Sequence, residues 1–133
     1  MGERMRRLEI AAEVLAKAPH APPISAEQLA RLAAKRAVGT YIRISEYPFP
    51  EEELRPLIDH VIQWLWSEKR LEQVKHPDVW KVGCFDLIAS PEACDVAQLL
   101  ASRTDLSPSD IQRLPVEGCW RDCTCEWRWR RRG

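Results

Sequence analysis

The 133-residue sequence has no long apolar run and no excess of charge of either sign. No stretch approaches the roughly 20 consecutive apolar residues of a membrane-spanning helix, and twenty basic residues balance twenty acidic ones. The charge is nevertheless uneven, because residues 46–78 carry eight acids and four bases, whereas residues 113–133 carry six bases and three acids. The net charge of zero therefore favours neither a polyanionic partner nor a membrane surface. Locally, however, the middle of the chain is acidic and its end is basic.

The sequence also lacks a secretory signal and an even number of cysteines. Residues 5–17 alternate charged and apolar side chains, where a signal peptide needs an uninterrupted apolar run. We therefore expect a cytoplasmic protein, and the five cysteines would remain reduced in that compartment. Clustered cysteines in a reducing compartment more often bind metal than form disulfides.

No catalytic constellation is evident. His20, His60 and His76 are scattered, and none lies near a serine or cysteine nucleophile in sequence. His60, next to Asp59 at the margin of an apolar helical stripe, is more typical of a structural histidine than of a general base. We therefore expect a protein that acts by binding rather than by chemistry.

Length and composition predict one α+β domain over residues 1–133, with a helical part at 1–78 and a cysteine-clustered lobe at 79–133. The helical part contains three amphipathic helices. Their inward stripes are Met5, Leu8, Ala12 and Leu15 in the first, Leu29, Leu32 and Ala33 in the second, and Leu54, Leu57, Ile58, Val61, Ile62 and Leu65 in the third.

The ends of these helices follow from capping residues and prolines. The first helix ends near Ala18, before a proline-rich linker, and the second begins at a capping box of Ser25 and Gln28. The third should begin close enough to Pro56 for that proline to lie in its first turn, and it extends to about Val74.

Two further features of the helical part are open to more than one interpretation. Trp64 and Trp66 widen the apolar surface of the third helix, which is therefore either central to the fold or also covers a partner. Residues 25–45 admit a helix-turn-helix with Gly39 in the turn. A short strand or an extended connection over Tyr41–Ser45 is favoured instead, because this segment is β-prone and a proline follows it.

A small antiparallel sheet is predicted for the lobe. Residues 79–89 are rich in β-branched and aromatic side chains and predict one strand. Thr124–Arg130 alternates, with Cys125, Trp127 and Trp129 facing inward, and predicts the other strand.

A helix is expected to cross between the two strands. Ser90 and Pro91 predict its start and Ala101 its end, with Cys94, Ala97 and either Leu99 or Leu100 facing inward. A turn or a single helical turn follows at residues 106–111.

Four cysteines form the candidate metal site. Cys123 and Cys125 are two residues apart on a predicted strand, so their thiols share a face, and Cys119 lies in the preceding turn. Cys94 supplies the fourth sulfur for tetrahedral zinc. Such a zinc would be structural, because four thiolates leave no coordination position for a catalytic water.

The spacing C-x3-C-x-C lacks the paired C-x2-C knuckles of the strongest zinc motifs. Cys84 or His76 would substitute if Cys94 faced away. The alternatives are reduced thiols packed as small hydrophobes, disulfides, and a thiol redox role for Cys123 and Cys125. The Cα atoms of that pair would lie about 6.6 Å apart on an extended strand, near the upper limit for a disulfide.

A series of motifs spans residues 80–127. In order, they are a tryptophan-containing strand, the segment Ala93-Cys94-Asp95-Val96-Ala97, the pair Leu114-Pro115 and the segment Cys123-Thr124-Cys125. This order resembles the C-terminal module of phage Mu F-like head-morphogenesis proteins, and it is similar to small cysteine-rich tails of uncharacterised bacterial proteins. The resemblance implies metal ligation by cysteines. The chain departs from the phage pattern at Ala97, where the family has a second cysteine, and at residues 116–119, which replace a His-Pro pair.

The basic tail, residues 127–132, suggests a nucleic-acid alternative, since arginine engages phosphate and tryptophan stacks on bases. If the tryptophans face the core, only the arginines are available, and a basic strand end more often discourages sheet aggregation. The candidate contacts are Arg121, Arg128, Arg130, Arg131 and Arg132.

The sequence thus predicts a small, non-catalytic adaptor with a structural zinc site and a protein partner. The acidic, tryptophan-bearing third helix and the basic tail are its candidate binding surfaces.

Overall fold

The computed structural model describes residues 2–39, 49–89, 91–104, 106–116 and 125–131, and the fold is α+β. Its elements are α1 (Gly2–Lys17), α2 (Ala26–Ala37), α3 (Glu51–Val74), α4 (Pro77–Val82), β1 (Gly83–Ile88), α5 (Asp95–Ser102), a 3₁₀ helix (Pro108–Asp110) and β2 (Glu126–Arg131). The prediction of three N-terminal helices, a small antiparallel sheet and a helix between its strands is confirmed. The segment 41–45, predicted as a short strand or connection, lies outside the described residues.

The chain divides into two compact units, residues 1–65 and 66–133. The division falls inside α3, whereas the sequence places the change from helices to cysteine lobe after residue 78. Residues 66–78 belong to the second unit because Val74 is buried in that unit's core and Leu71 packs against it.

In the N-terminal unit, α1 packs against α2. The predicted capping box starts α2, with the Ser25 hydroxyl accepting the Gln28 N–H and the Gln28 side chain accepting the Ser25 N–H, each at 3.1 Å. The inward stripe predicted for α2 is confirmed. An ion pair of 2.8 Å between Arg36 and Asp59 joins α2 to α3.

The inward stripe predicted for α1 is wrong. Met5 is 57% exposed and Leu8 is 38% exposed. The buried residues of this helix are Ile10, Ala11 and Val14. At 3.6 residues per turn the two stripes lie about 130° apart around the helix, so packing on one side leaves the other uncovered.

The predicted start of α3 is also wrong, since the helix begins at Glu51 and Pro56 lies inside it. Pro56 cannot donate to the carbonyl of Glu52, but both residues are exposed, so water can hydrate that carbonyl. The acidic first turn of α3 also suits the positive end of the helix dipole. Farther along, the apolar stripe is buried as predicted, apart from Ile62, which is partly buried.

His60 and Trp64 lie on α3 and are both buried. Their rings meet edge to face, with centroids 4.4 Å apart. This contact places His60 in the packing of the N-terminal unit, in keeping with a structural histidine.

The C-terminal unit is built around the antiparallel pair of β1 and β2, whose register places Gly83 opposite Arg131 and Ile88 opposite Glu126. This ribbon packs with α4 and α5 in a single core. The core residues are Val74, Trp80, Cys84, Phe85, Leu87, Ala97, Leu100, Leu106, Ile111, Val116 and Trp127.

The strand predicted from Val79 begins only at Gly83, because residues 77–82 form α4. Pro77 occupies the first helical position, where its missing N–H costs nothing, and the His76 side chain accepts the Asp78 N–H at 3.2 Å. Trp80 is buried on this short helix and donates from Nε1 to the carbonyl of Val74 at 2.7 Å. Trp80 is therefore buried from a helix and not from a strand, whereas Val82 of the same helix is 55% exposed.

The helix predicted to open at Ser90 and Pro91 begins later, at Asp95, with Cys94 as its N-cap. Ser90 itself lies outside the described residues. Pro91 lies in a turn, and its carbonyl accepts a hydrogen bond of 3.1 Å from the side chain of Gln98. Of the two alternatives for the inward leucine, Leu100 is buried and Leu99 is exposed.

The turn predicted at residues 106–111 is confirmed as the 3₁₀ helix. The carboxylate of Asp110 accepts the Ser107 N–H at 2.7 Å and the Ser107 hydroxyl at 3.0 Å. These two hydrogen bonds, with the charge of Arg103, hold the pKa of Asp110 below its ordinary value of 3.8.

The indole of Trp129 on β2 lies beside Gly83 at the start of β1. Trp129 is 43% exposed, so the prediction that it faces inward with Trp127 holds fully only for Trp127. A methyl group built on Gly83 would lie 2.5 Å from Cε2 and Nε1 of the Trp129 indole. The backbone of Gly83 is extended and would accept any residue, so only the space filled by the indole requires a glycine.

We predict that Gly83→Ala lowers the free energy of unfolding by about 1–3 kcal/mol, because the indole must leave its position. In a Trp129→Ala background the same substitution should cost nothing, since the space is then open. Chemical denaturation of the four proteins measures this coupling. An equal cost of Gly83→Ala in both backgrounds would show that the indole does not occupy this position.

Candidate functional site

Two of the four predicted zinc ligands lie within the described residues, and both pack against the core of the C-terminal unit. Cys94 is the N-cap of α5, and its carbonyl accepts the Gln98 N–H at 2.9 Å. Cys125 immediately precedes β2. Both side chains are half-buried and contact the same apolar core. Cys119 and Cys123 lie outside the described residues.

Cys84 occupies the other end of the sheet. It pairs with Arg130, which is five residues after Cys125 in the sequence. At about 3.3 Å per residue along a strand, Cys84 and Cys125 are about 16 Å apart. The geometry therefore argues against Cys84 as a substitute ligand. Among the described residues, no group of three Cys, His, Asp or Glu side chains is arranged to hold a metal.

The described residues on either side of the segment 117–124, which contains Cys119 and Cys123, are held within the C-terminal unit. On the N-terminal side, the Leu114 N–H donates to the Ser67 hydroxyl at 2.8 Å, and Arg113 pairs with Glu68 at 3.2 Å. On the C-terminal side, Trp127 is buried and donates from Nε1 to the carbonyl of Gln112 at 3.0 Å.

The basic strand β2 uses two of its arginines within the sheet. Arg130 binds both carboxylate oxygens of Asp86, at 2.8 and 3.3 Å, and this hydrogen bonding raises the pKa of its guanidinium. Arg128 pairs with Glu126. Arg131 is exposed at the end of β2. The remaining candidates for nucleic-acid contact, Arg121 and Arg132, lie outside the described residues.

A groove of about 500 Å³ opens between α1 and α2. It was not predicted from the sequence, although its apolar side chains on α1 are Met5 and Leu8, the residues wrongly assigned to the core. The opposite side is formed by Ala30 and Ala34 of α2. The signal that could have revealed it is the presence of two separate apolar stripes on α1, since a helix packed on one neighbour buries only one of them.

The groove is bordered mainly by positive charge. Within the part of the chain that the structure describes, its charged lining residues are Arg4, Arg7, Glu27 and Arg31, that is, three bases and one acid. Arg7 has a weak ion pair of 3.7 Å with Glu3. Within the part of the chain that the structure describes, no ion pair engages Arg4 or Arg31.

The chain matches none of the protein family models, curated proteins or solved structures with which it was compared. Over the described residues, no helix has both the length and the hydropathy that crossing a membrane requires. The function must therefore be inferred from the chain's own residues.

We predict that protein purified without chelators carries about one zinc per chain, and that Cys94→Ser or Cys125→Ser lowers this content strongly, because each removes a thiolate. Cys84→Ala is the matched control, since Cys84 lies at the far end of the sheet, and it should leave the zinc content unchanged. Elemental analysis of the three variants and the wild type measures this. Metal-free wild-type protein, or equal zinc loss in the control, would contradict the proposed ligand set.

Proposed function

We propose that the protein is a non-catalytic adaptor that binds another protein through the groove between α1 and α2. The observation that carries the proposal is the exposure of Met5 and Leu8, two large apolar side chains that line a concave surface. Concave apolar surfaces bordered by polar residues are typical of binding sites in folded proteins. Methionine is well suited to such a surface because its flexible side chain adapts to the partner.

The chemistry of the groove supports binding rather than catalysis. Among the described residues that line it, none is a serine, cysteine or histidine, and Glu27 supplies the one carboxylate. Arginine guanidinium groups remain protonated and cannot act as bases. The groove therefore offers apolar contact and positive charge, which are means of recognition.

A structural zinc ion bound by Cys94, Cys119, Cys123 and Cys125 would support the C-terminal unit in this proposal. The half-buried positions of Cys94 and Cys125 against one core favour it. Zinc would then connect α5 to the start of β2 and add its binding free energy to the stability of the unit.

The nucleic-acid alternative receives less support. Two of its arginines, Arg128 and Arg130, are held by Glu126 and Asp86, and the indole of Trp127 is buried and therefore not free to stack on a base. Binding of phosphate would require these ion pairs to be exchanged. The groove, in contrast, is open to a partner without rearrangement of any described contact.

Site-specific photo-crosslinking tests the proposed groove. We predict that benzoylphenylalanine at position 8, introduced into the protein in its own cells, yields discrete protein adducts, because the groove holds the partner against this residue. The adducts are measured by gel shift and mass spectrometry. A second substitution on the facing wall, Ala34→Arg, should abolish them by filling the groove.

The matched control carries the crosslinker at position 99 on α5, where the natural leucine is 65% exposed. This position should give only background, and circular dichroism should show that all variants are folded. Adducts that are as strong from position 99, that persist with Ala34→Arg, or that contain nucleic acid in place of protein would contradict the proposal.

A further inference from the structure

We infer that the partner segment bound in the α1–α2 groove is an amphipathic helix whose polar face is acidic. This inference rests on the proposed function, because it names the class of partner that the same groove accepts. It follows from the shape of the groove, from the spacing of its apolar residues and from the charge along its edges.

The shape of the groove favours a helix over other peptide conformations. The described residues that line the groove all belong to α1 and α2, so they offer no open strand edge for an added β-strand. None of these described residues is aromatic, whereas grooves that bind extended proline-rich peptides are lined by aromatic side chains. The modes that remain are a third helix laid along the two packed helices and an acidic motif bound by clustered arginines. The exposed apolar side chains of Met5 and Leu8 in the groove favour the helix.

The apolar residues are spaced to match such a helix. Met5 and Leu8 are three residues apart on α1, and Ala30 and Ala34 are four residues apart on α2, so each pair follows one turn of its helix. The two alanines allow a neighbouring backbone to approach closely, while the methionine and leucine provide contact area. A partner helix with apolar residues at i, i+3, i+4 and i+7 would be complementary.

The charge of the groove selects an acidic partner. Arg4 and Arg31 stand on opposite walls, and within the described part of the chain neither has an ion pair. With Arg7 they outnumber the one acid, Glu27. Carboxylates on both flanks of a bound helix would meet guanidinium groups, which bind carboxylates through two parallel hydrogen bonds.

An anionic membrane is the rival for a basic, partly apolar surface, and the structure favours the helix. The two helices that form the groove together carry seven bases and four acids. This surface is of mixed charge, whereas helices that bind anionic membranes have a polar face rich in lysine and arginine. The apolar surface is also concave and contains two alanines, so it would present little side-chain area to a flat bilayer.

Fluorescence anisotropy with designed peptides tests the inference on the full-length protein. The probes are fluorescein-labelled peptides of about 15 residues, stapled so that they are helical in solution. All carry the same leucine seam, that is, leucines at i, i+3, i+4 and i+7. Their polar faces contain glutamate in the first peptide, glutamine in the second and lysine in the third. A fourth peptide has the composition of the glutamate peptide, with its leucines moved to scrambled positions.

We expect the glutamate peptide to bind about five- to tenfold more tightly than the glutamine peptide. The lysine and scrambled peptides should bind more weakly still, and added salt should reduce the preference for glutamate.

Two charge-reversal variants on α2 provide a matched comparison. Arg31→Glu should remove the preference for the glutamate peptide and, combined with Arg4→Glu, should reverse it in favour of lysine. Lys35→Glu changes the charge equally at an exposed position of α2 that does not line the groove, and it should leave the preference intact. All these positions are exposed, so each variant should remain folded.

The outcomes separate the inference from the proposed function. Equal binding of the glutamate and glutamine peptides would overturn the acidic partner while leaving the groove as a protein-binding site. No binding of any seam peptide, together with groove-dependent crosslinks in cells, would overturn the helical partner alone. The protein could instead bind phosphatidylglycerol vesicles more tightly than any peptide and lose this binding on Leu8→Lys. That result would overturn both the helical partner and the protein-binding groove, and it would identify a membrane-binding surface. Concentration-dependent self-association that is lost on Arg31→Glu would identify a second copy as the partner and would likewise overturn the inference.

Discussion

The geometry of α1 is the constraint on which the proposed function depends. An α-helix that carries apolar residues on two separate stripes can bury only the stripe that faces its neighbour. In this protein Ile10, Ala11 and Val14 are fully buried, and Met5 and Leu8 are left in a groove with the small residues of α2. Exposure of the second stripe is therefore a consequence of packing the first, and the surrounding arginines make the exposed surface selective.

The C-terminal unit is organised by indole groups as well as by its two strands. Trp80 and Trp127 each bury a ring in the core and satisfy the indole N–H with a backbone carbonyl, those of Val74 and Gln112. Buried indoles that lacked such acceptors would be destabilising. These bonds hold Trp80 and Trp127 in the core against which Cys94 and Cys125 also pack, and we propose that zinc joins the two cysteines there.

The elements that local residues determine were predictable from the sequence. The capping box of Ser25 and Gln28 fixes the start of α2, and the strong periodicity of α3 fixes its buried face. The errors arose where tertiary packing decides between local alternatives. Residues 79–82 have the composition of a strand, but they belong to a short helix in which Trp80 is buried. Pro91 lies in a turn, and α5 therefore begins only at Asp95.

The candidate site was predictable only in part, for the same reason. Cysteine spacing identifies a set of thiols, and the structure places Cys94 and Cys125 on one core, whereas Cys119 and Cys123 lie outside the described residues. The groove could not be predicted, because the sequence shows that α1 has two apolar stripes but not which one is buried. The sequence also shows that the tail is basic but not which of its arginines form ion pairs, because the pairing of Arg130 with Asp86 depends on the register of the two strands.

The central claim is that the Met5 and Leu8 stripe is a surface rather than part of the core, and the free energy of unfolding tests it most directly. Leu8→Lys should leave this free energy within about 0.5 kcal/mol of the wild-type value, as exposed substitutions do. Val14→Lys, on the buried stripe of the same helix, should cost several kcal/mol by burying an unpaired charge. A Leu8→Lys variant that is destabilised as much as Val14→Lys would show that Leu8 belongs to the core and that the groove is not available to a partner.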